Sequence, residues 1–454
     1  MRNVVKFGIV MVDSLISKIS HGHHAMACST KARARSVCTG LAAAALLNAL
    51  TPSARADMVT DWNVNLEKAA KVAAQLPPVE VRIAAIVQVA VFDAVNGIQR
   101  QYQPYFVTER APGGARAEAA VAQAACTALK ALYPAQSATF DAELAASIAT
   151  IPGHQGDSQS IARGLAWGEH VANLILALRS MDGFSATVPN YFGSFDPGVW
   201  RSLPTATNPD GTLPAVFPQY RFMVPFAIAS GDQFRPGPPP ALTSPEYAAD
   251  VNTVKDLGRV NSATRTSDQT QLALLWQATS IVDLFRGIRP VLPPNASLDD
   301  NARLFALLSM ASCDALIAIF DAKYTYNLWR PFHAIRHADI DGNPLTDADP
   351  TWTALVFAPR HQEYPSAHCI ATGAFMRVAS AILGDENQFV LSSPGFPNFT
   401  WTFDRFSDAA EQVKGARVWA GIHYPNSCNV GGAMGILVGD YVLEHALLPV
   451  GDEE

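Results

Sequence analysis

Six side chains in the last third of the chain have the types and spacing to hold a tetrahedral oxyanion: Lys323, Arg330, Ser366, His368, Arg417 and His423. Lys323 and Arg330 are seven positions apart, two helical turns less about 20°. Both cations reach one spot if a helix runs on to Trp329 before Pro331 ends it. Ser366, within Tyr364-Pro365-Ser366-Ala367-His368, suits a helix N-cap. The free N–H groups and positive dipole end of a helix start attract an anion, and His368 then falls in the first turn. Arg417 is embedded in Gly415-Ala416-Arg417-Val418-Trp419-Ala420-Gly421-Ile422-His423, an apolar setting in which a guanidinium needs a buried anionic partner. On a straight helix Arg417 and His423 point roughly 120° apart. The helix must therefore bend or end between them to bring them together, and Tyr424-Pro425 supplies a break.

Taken singly, each fragment has a plain structural reading: two solvated charges on one helix face, or a cap beside a surface histidine. Taken together they suit an anion such as phosphate or vanadate. Guanidinium groups match its oxygens in pairs. One histidine can bond the central atom, and the other can move protons near neutral pH.

The elements that must position these residues read as helices. Pro77-Pro78 opens a segment over Val79 to Val95, closed by Asn96-Gly97; Ala115 to Leu132 stops before Pro134; Asp157 to Met181 begins on a capping residue. Ser244-Pro245-Glu246 and Ser297-x-x-Asp300 are further start signals. A segment is expected at Thr266 to Leu284, and others at 366–383, 408–421 and 429–447. Twelve of the 31 prolines fall between residues 186 and 245, together with many aromatics. Such a stretch cannot hold long helices and reads as an ordered, packed loop region. The expected fold is all-α: an N-terminal helical bundle over 57–185, the Pro-rich loop region over 186–245, and a C-terminal bundle over 246–454 that carries the site.

The first 56 residues read as a secretory signal. Lys31, Arg33 and Arg35 precede the apolar run Val37 to Leu50, and Ala54-Arg55-Ala56 resembles a cleavage site. Residues 1–25 add little to it, so Met26 is a candidate true start. The expected product is secreted or periplasmic. Without this segment, 26 basic residues face 39 acidic ones, a formal charge of −13, which argues against a nucleic-acid partner. No later run reaches 18 uninterrupted apolar residues, so no transmembrane segment is expected. Of the remaining cysteines, Cys369 and Cys428 flank two of the motifs. A bridge between them is conceivable, and buried free thiols are the blander reading. Oligomeric state is not legible.

The three motifs in order, Lys-x6-Arg-Pro, Pro-Ser-x-His and Arg-x5-His, resemble the signature of the type 2 phosphatidic acid phosphatase and vanadium haloperoxidase superfamily. The long helical N-terminal half and the Asn327-Leu328-Trp329-Arg330-Pro331 context look like its secreted haloperoxidase branch. The resemblance implies two consecutive helical bundles and vanadate as cofactor, with phosphate able to occupy the same site. It implies that His423 is the single protein ligand to vanadium, or the phosphorylated nucleophile of a phosphatase. Lys323, Arg330 and Arg417 would neutralise the oxygens, Ser366 and the Ala367 N–H would donate to them, and His368 would be the acid–base residue. Lys323 would also polarise bound peroxide. Two positions depart from the family pattern. Ala367 stands where glycine is common. Ser427 stands where an aspartate often holds the last histidine, and a serine there could accept its Nδ1–H. His361 occupies a position that is histidine in bromoperoxidases and aromatic in chloroperoxidases.

The implied function is oxidation of halide, bromide or iodide ahead of chloride, by hydrogen peroxide, with an organic acceptor as a further possible partner. The alternative is a secreted acid phosphatase working through phosphorylated His423. A helical binding or scaffold protein with a degenerate pocket is the third reading.

Overall fold

The computed structural model describes residues 57–153, 157–204 and 211–451. The signal-like segment lies outside the described residues. The first described residue, Asp57, caps helix α1 (Met58–Ala73): its carboxylate accepts from the Thr60 N–H at 2.8 Å, and Thr60 returns a bond to the cap. Four more helices follow: α2 (Pro77–Gln99), α3 (Ala117–Leu132), α4 (Ser137–Thr150) and α5 (Ser158–Ser180). The sequence signals locate α2, α3 and α5 to within a few residues. Helix α2 runs past Asn96-Gly97 and ends only at Arg100, which adopts the left-handed conformation. Gly97 lies within the helix, and the Trp167 ring packs where a Cβ would sit.

Within the Pro-rich stretch, the helical structure among the described residues before Pro245 is one short 3₁₀ turn, Tyr220–Phe222. Trp200 and Tyr220 are fully buried, whereas Phe192, Phe195 and Phe222 are exposed. Buried Asp314 pins this stretch by accepting the N–H groups of Phe226, Ala227 and Ile228 at 2.6–3.0 Å.

The second half comprises α6 (Pro245–Leu257), α7 (Ser267–Ala278), α8 (Leu298–Tyr326), α9 (Pro331–Arg336), α10 (Ala367–Leu383), α11 (Phe406–Trp419) and α12 (Pro425–His445). The segment expected over 266–284 is shorter than anticipated: α7 ends at Ala278, and short turns lead on to Val291. A small antiparallel hairpin, β1 (Phe389–Ser392) and β2 (Thr400–Phe403), pairs Phe389 with Phe403; the sequence reading did not anticipate it.

Helix α8 is the central post. A reciprocal capping box between Ser297 and Asp300 fixes its start, and nearly its whole length is buried. It packs against α2 from the first half and against α10 and α12 from the second, so one continuous apolar core joins the two halves. Both α2 and α8 are long and apolar enough to cross a membrane by length and composition, and both are buried within the protein.

Candidate active site

Each site residue sits where a helix starts or stops. Helix α8 does not run on to Trp329, the condition under which Lys323 and Arg330 would share one helix face. It ends at Tyr326, and Asn327 caps it in the left-handed region (φ 60°), a conformation that asparagine tolerates. Residues 328–330 then run extended. The Trp329 N–H donates to the Gly198 carbonyl at 2.8 Å, and the Trp200 N–H donates to the Asn327 carbonyl at 2.7 Å. Arg330 thus arrives as the cap residue of α9, on an extended segment rather than on a second helical turn.

Arg417 and His423 are also brought together by a break earlier than the expected Tyr424-Pro425. Helix α11 stops at Trp419, and Gly421 turns the chain at φ +80°. A Cβ there would lie 2.4 Å from the Gly258 carbonyl oxygen, so conformation and space both require glycine.

Ser366 is the cap residue of α10, yet its side chain makes no capping bond. Its Oγ is buried without a hydrogen-bond partner, as are Arg417 Nε and Nη1. These are the orphaned donors that a tetrahedral oxyanion would satisfy. The third Arg417 nitrogen, Nη2, donates to Gln277 Oε1 at 3.0 Å. Together with the start of α10 at Ala367, they suit vanadate or phosphate.

The other two cations are committed elsewhere. Lys323 Nζ donates to the carbonyls of Gln362, Glu363 and Pro365 at 2.8, 2.9 and 2.5 Å. All three of its protons hold the loop ahead of α10. Burial, then Arg330, pulls its pKa well below the usual lysine value. Arg330 donates through Nε to the His361 carbonyl (2.9 Å), through Nη1 to the Ile422 carbonyl (2.7 Å) and His423 Nε2 (3.0 Å), and through Nη2 to His361 Nδ1 (3.0 Å). It ties both histidines to one point. Burial lowers the pKa of Arg330 and of Arg417 to about 10.

The sequence reading missed Glu363. Its Oε1 lies 2.8 Å from His423 Nδ1 and accepts the Tyr424 N–H at 3.0 Å. An oxygen already accepting from an amide fixes the proton on Nδ1 of the imidazole. Nε2 is left with its lone pair, the form a metal centre requires. Ser427, expected to take this part, makes no hydrogen bond to His423. Its carbonyl accepts the Ser366 N–H at 3.1 Å, and its hydroxyl lies beside Glu363 without completing a bond. The carboxylate comes instead from the loop ahead of α10. Burial pushes Glu363 up to about 7, against the pull of Arg330 and Lys323. The only hint in the sequence is an acid placed directly before Tyr364-Pro365-Ser366.

His368 lies half-buried in the wall of the cavity beside the Trp276 backbone, and His361 is buried against the Phe320 ring at 5.5 Å between centroids. Burial foremost, with nearby cations, holds His361, His368 and His423 well below the ordinary histidine pKa. The four cysteines among the described residues, Cys126, Cys313, Cys369 and Cys428, are free and buried; the bridge between Cys369 and Cys428 is not formed. Among the described residues, no cluster of His, Cys, Asp and Glu of metal-binding size occurs. The candidate centre brings the His423 imidazole together with a cationic, hydrogen-bonding shell.

Residues 303–451 match the model of the VCPO second helical-bundle domain. This stretch, the last third of the chain, is similar to that family's second helical bundle. A vanadium chloroperoxidase from Curvularia inaequalis is 35% identical over 89 residues, which span 17% of this chain and 14% of that relative's length. Among solved structures, the first bacterial vanadium-dependent iodoperoxidase superposes with a TM-score of 0.74 at 23% identity, covering 87% of this chain and 98% of the other. A bacterial vanadium-dependent chloroperoxidase in its holo form gives 0.66 at 17% identity, covering 82% and 93%. At these identities the likeness shows the fold, and that all-α vanadium haloperoxidase fold extends well beyond the matched domain into the N-terminal half.

Proposed function

We propose that the chain binds vanadate at His423 and oxidises halide with hydrogen peroxide, bromide or iodide in preference to chloride. The observation that carries this is the His423 imidazole. It is oriented by Glu363, presents its Nε2 lone pair to Arg330 Nη1 at 3.0 Å, and lines one cavity with Arg417, whose Nε and Nη1 are orphaned, as is the Ser366 hydroxyl. Bound vanadate would supply Lewis acidity that polarises peroxide without a change of oxidation state. Arg417 and Ser366 would hold its oxygens, with the Ala367 N–H at the start of α10. Arg330, already 3.0 Å from Nε2, would turn one donor toward the same anion. His368, half-buried in the cavity wall, would take a proton from incoming peroxide. Lys323 acts mainly by holding the 362–365 loop. His361 in place of an aromatic ring supports the preference for the heavier halides. The N-terminal signal-like segment supports work outside the cytoplasm.

The test is reconstitution with orthovanadate, followed by peroxide, bromide and a phenol dye. Dye bromination that disappears in His423→Ala is expected. No bromination above that control rejects the reading. Vanadate-inhibited hydrolysis of p-nitrophenyl phosphate without bromination would mark the same pocket as a phosphatase.

A further inference from the structure

We infer that Cys369 and Cys428 form a dithiol that hydrogen peroxide closes into a disulfide, and that an oxyanion held in the adjoining site slows the closure; the slowing rests on the oxyanion reading above, the closure does not. Both thiols are free and buried, Cys369 in the first turn of α10 and Cys428 in the first turn of α12. The two helix starts are tied side by side, since the Ser366 N–H donates to the Ser427 carbonyl at 3.1 Å. One turn on, a Cβ at Gly431 would lie 3.3 Å from Cys369 Cβ. Cys428 precedes Gly431 by three positions, and such neighbours on one helix face have Cβ atoms about 5–6 Å apart. The two thiols accordingly face and act on each other. Side chains so placed can be bridged without large backbone movement.

Their surroundings make the pair unequal. Burial raises the Cys369 pKa, but the Cys428 thiol, the Ser366 hydroxyl and then Arg417 and Lys414 outweigh it and hold the thiol below its usual value. Burial, then Cys369, holds Cys428 well above that value. Cys369 is thus the attacking thiolate and Cys428 the resolving thiol. Arg417 also lines the cavity that contains His423, so peroxide entering that cavity arrives beside a group that favours the thiolate. An oxyanion on the two unpartnered nitrogens of Arg417 would cancel this charge and block the approach. Cys126 and Cys313 are internal controls. Burial pushes Cys126 up to about 11, and its thiol donates to the Phe140 carbonyl at 3.6 Å; burial also raises Cys313, and neither is acted on by another thiol.

The chemistry balances. Cys369 Sγ attacks a peroxide oxygen, the O–O bond breaks, and the departing hydroxide takes a proton to become water, leaving a sulfenic acid. Cys428 Sγ then attacks Cys369 Sγ, the S–O bond breaks, the S–S bond forms, and a second water leaves. Two thiols lose two electrons and one peroxide gains them.

The experiment maps peptides of the full-length protein, reduced, freed of reductant and treated with hydrogen peroxide, without vanadate, in phosphate or in chloride of equal ionic strength. Phosphate serves as the oxyanion because peroxide does not alter it. A peptide joining Cys369 to Cys428, lighter by two hydrogens, is expected, with Cys126 and Cys313 still open to alkylation. It should form at least about fivefold more slowly in phosphate, as the thiolate fraction falls. Cys428→Ala, with its thermal midpoint as the check on folding, should give a dimedone adduct at Cys369 instead. Absence of the joined peptide, oxidation of Cys126 and Cys313 at the same rate, or a folded Cys428→Ala without the adduct would overturn the inference. Equal rates in both salts, while phosphate raises the parent's thermal midpoint, would overturn the shielding. Equal rates with no such rise would sink the oxyanion reading alone and leave the dithiol standing.

Discussion

His423 Nδ1 and Glu363 Oε1 are 2.8 Å apart, although the two residues are sixty positions apart in the chain. The same oxygen accepts the Tyr424 N–H, so the carboxylate holds both the ring and the backbone that carries it. Glu363→Gln keeps the shape and removes the charge. It is expected to cost about 10- to 100-fold in vanadate affinity, the usual effect of losing such a supporting partner. Ser427→Ala should change little, because Ser427 makes no bond to His423. Vanadate titrations of both variants check this. The reverse ranking would return the supporting role to Ser427.

Arg417 leaves Nε and Nη1 buried and unpartnered. A desolvated cation without a full set of partners destabilises a fold until an anion arrives. Arg417→Met should therefore match or exceed the parent in thermal midpoint without vanadate, while losing most of the rise that vanadate gives the parent. Melting curves with and without orthovanadate measure both effects. An undiminished vanadate-dependent rise in the variant would remove Arg417 from the anion site.

Lys323 binds three carbonyls of the 362–365 loop. Lys323→Met orphans all three at a cost of about 1–3 kcal/mol each where no water reaches them. Denaturant unfolding should show a loss of several kcal/mol, larger than for Arg417→Met. A loss below about 1 kcal/mol, the worth of a single ordinary hydrogen bond, would show that the loop does not depend on these bonds.

His333 tests the acid side of stability away from the site. Burial, with help from Arg201 and His337, lowers its pKa to about 3. The unfolded chain takes up a proton near 6.5 that the folded chain refuses. Stability is therefore full above pH 6.5 and falls as the pH drops toward 3, by about 2–3 kcal/mol at pH 4.5. His333→Gln removes this titration. Its stability loss between pH 7 and 4.5 should be smaller than the parent's by about that amount, as read from urea midpoints at each pH. Parallel pH profiles would contradict the assignment.

The sequence by itself determined the site's cast and most of its scaffold. The motifs naming Lys323, Arg330, Ser366, His368, Arg417 and His423 are local, and so are the proline, glycine and capping signals that set α5, α8 and α10. Such signals act within a turn or two, where chain connectivity alone fixes the geometry. Tertiary structure decided how the work is divided. It ended α8 at Asn327 and delivered Arg330 on an extended segment held by Gly198. It used Gly421 against Gly258 to turn His423 back toward Arg417. Lys323 spends its donors on a loop, Arg417 keeps two free, and Glu363 takes the place the sequence offered to Ser427. Each of these choices depends on which distant carbonyl or carboxylate lies within 3 Å, and such distances arise only once the segments have packed together.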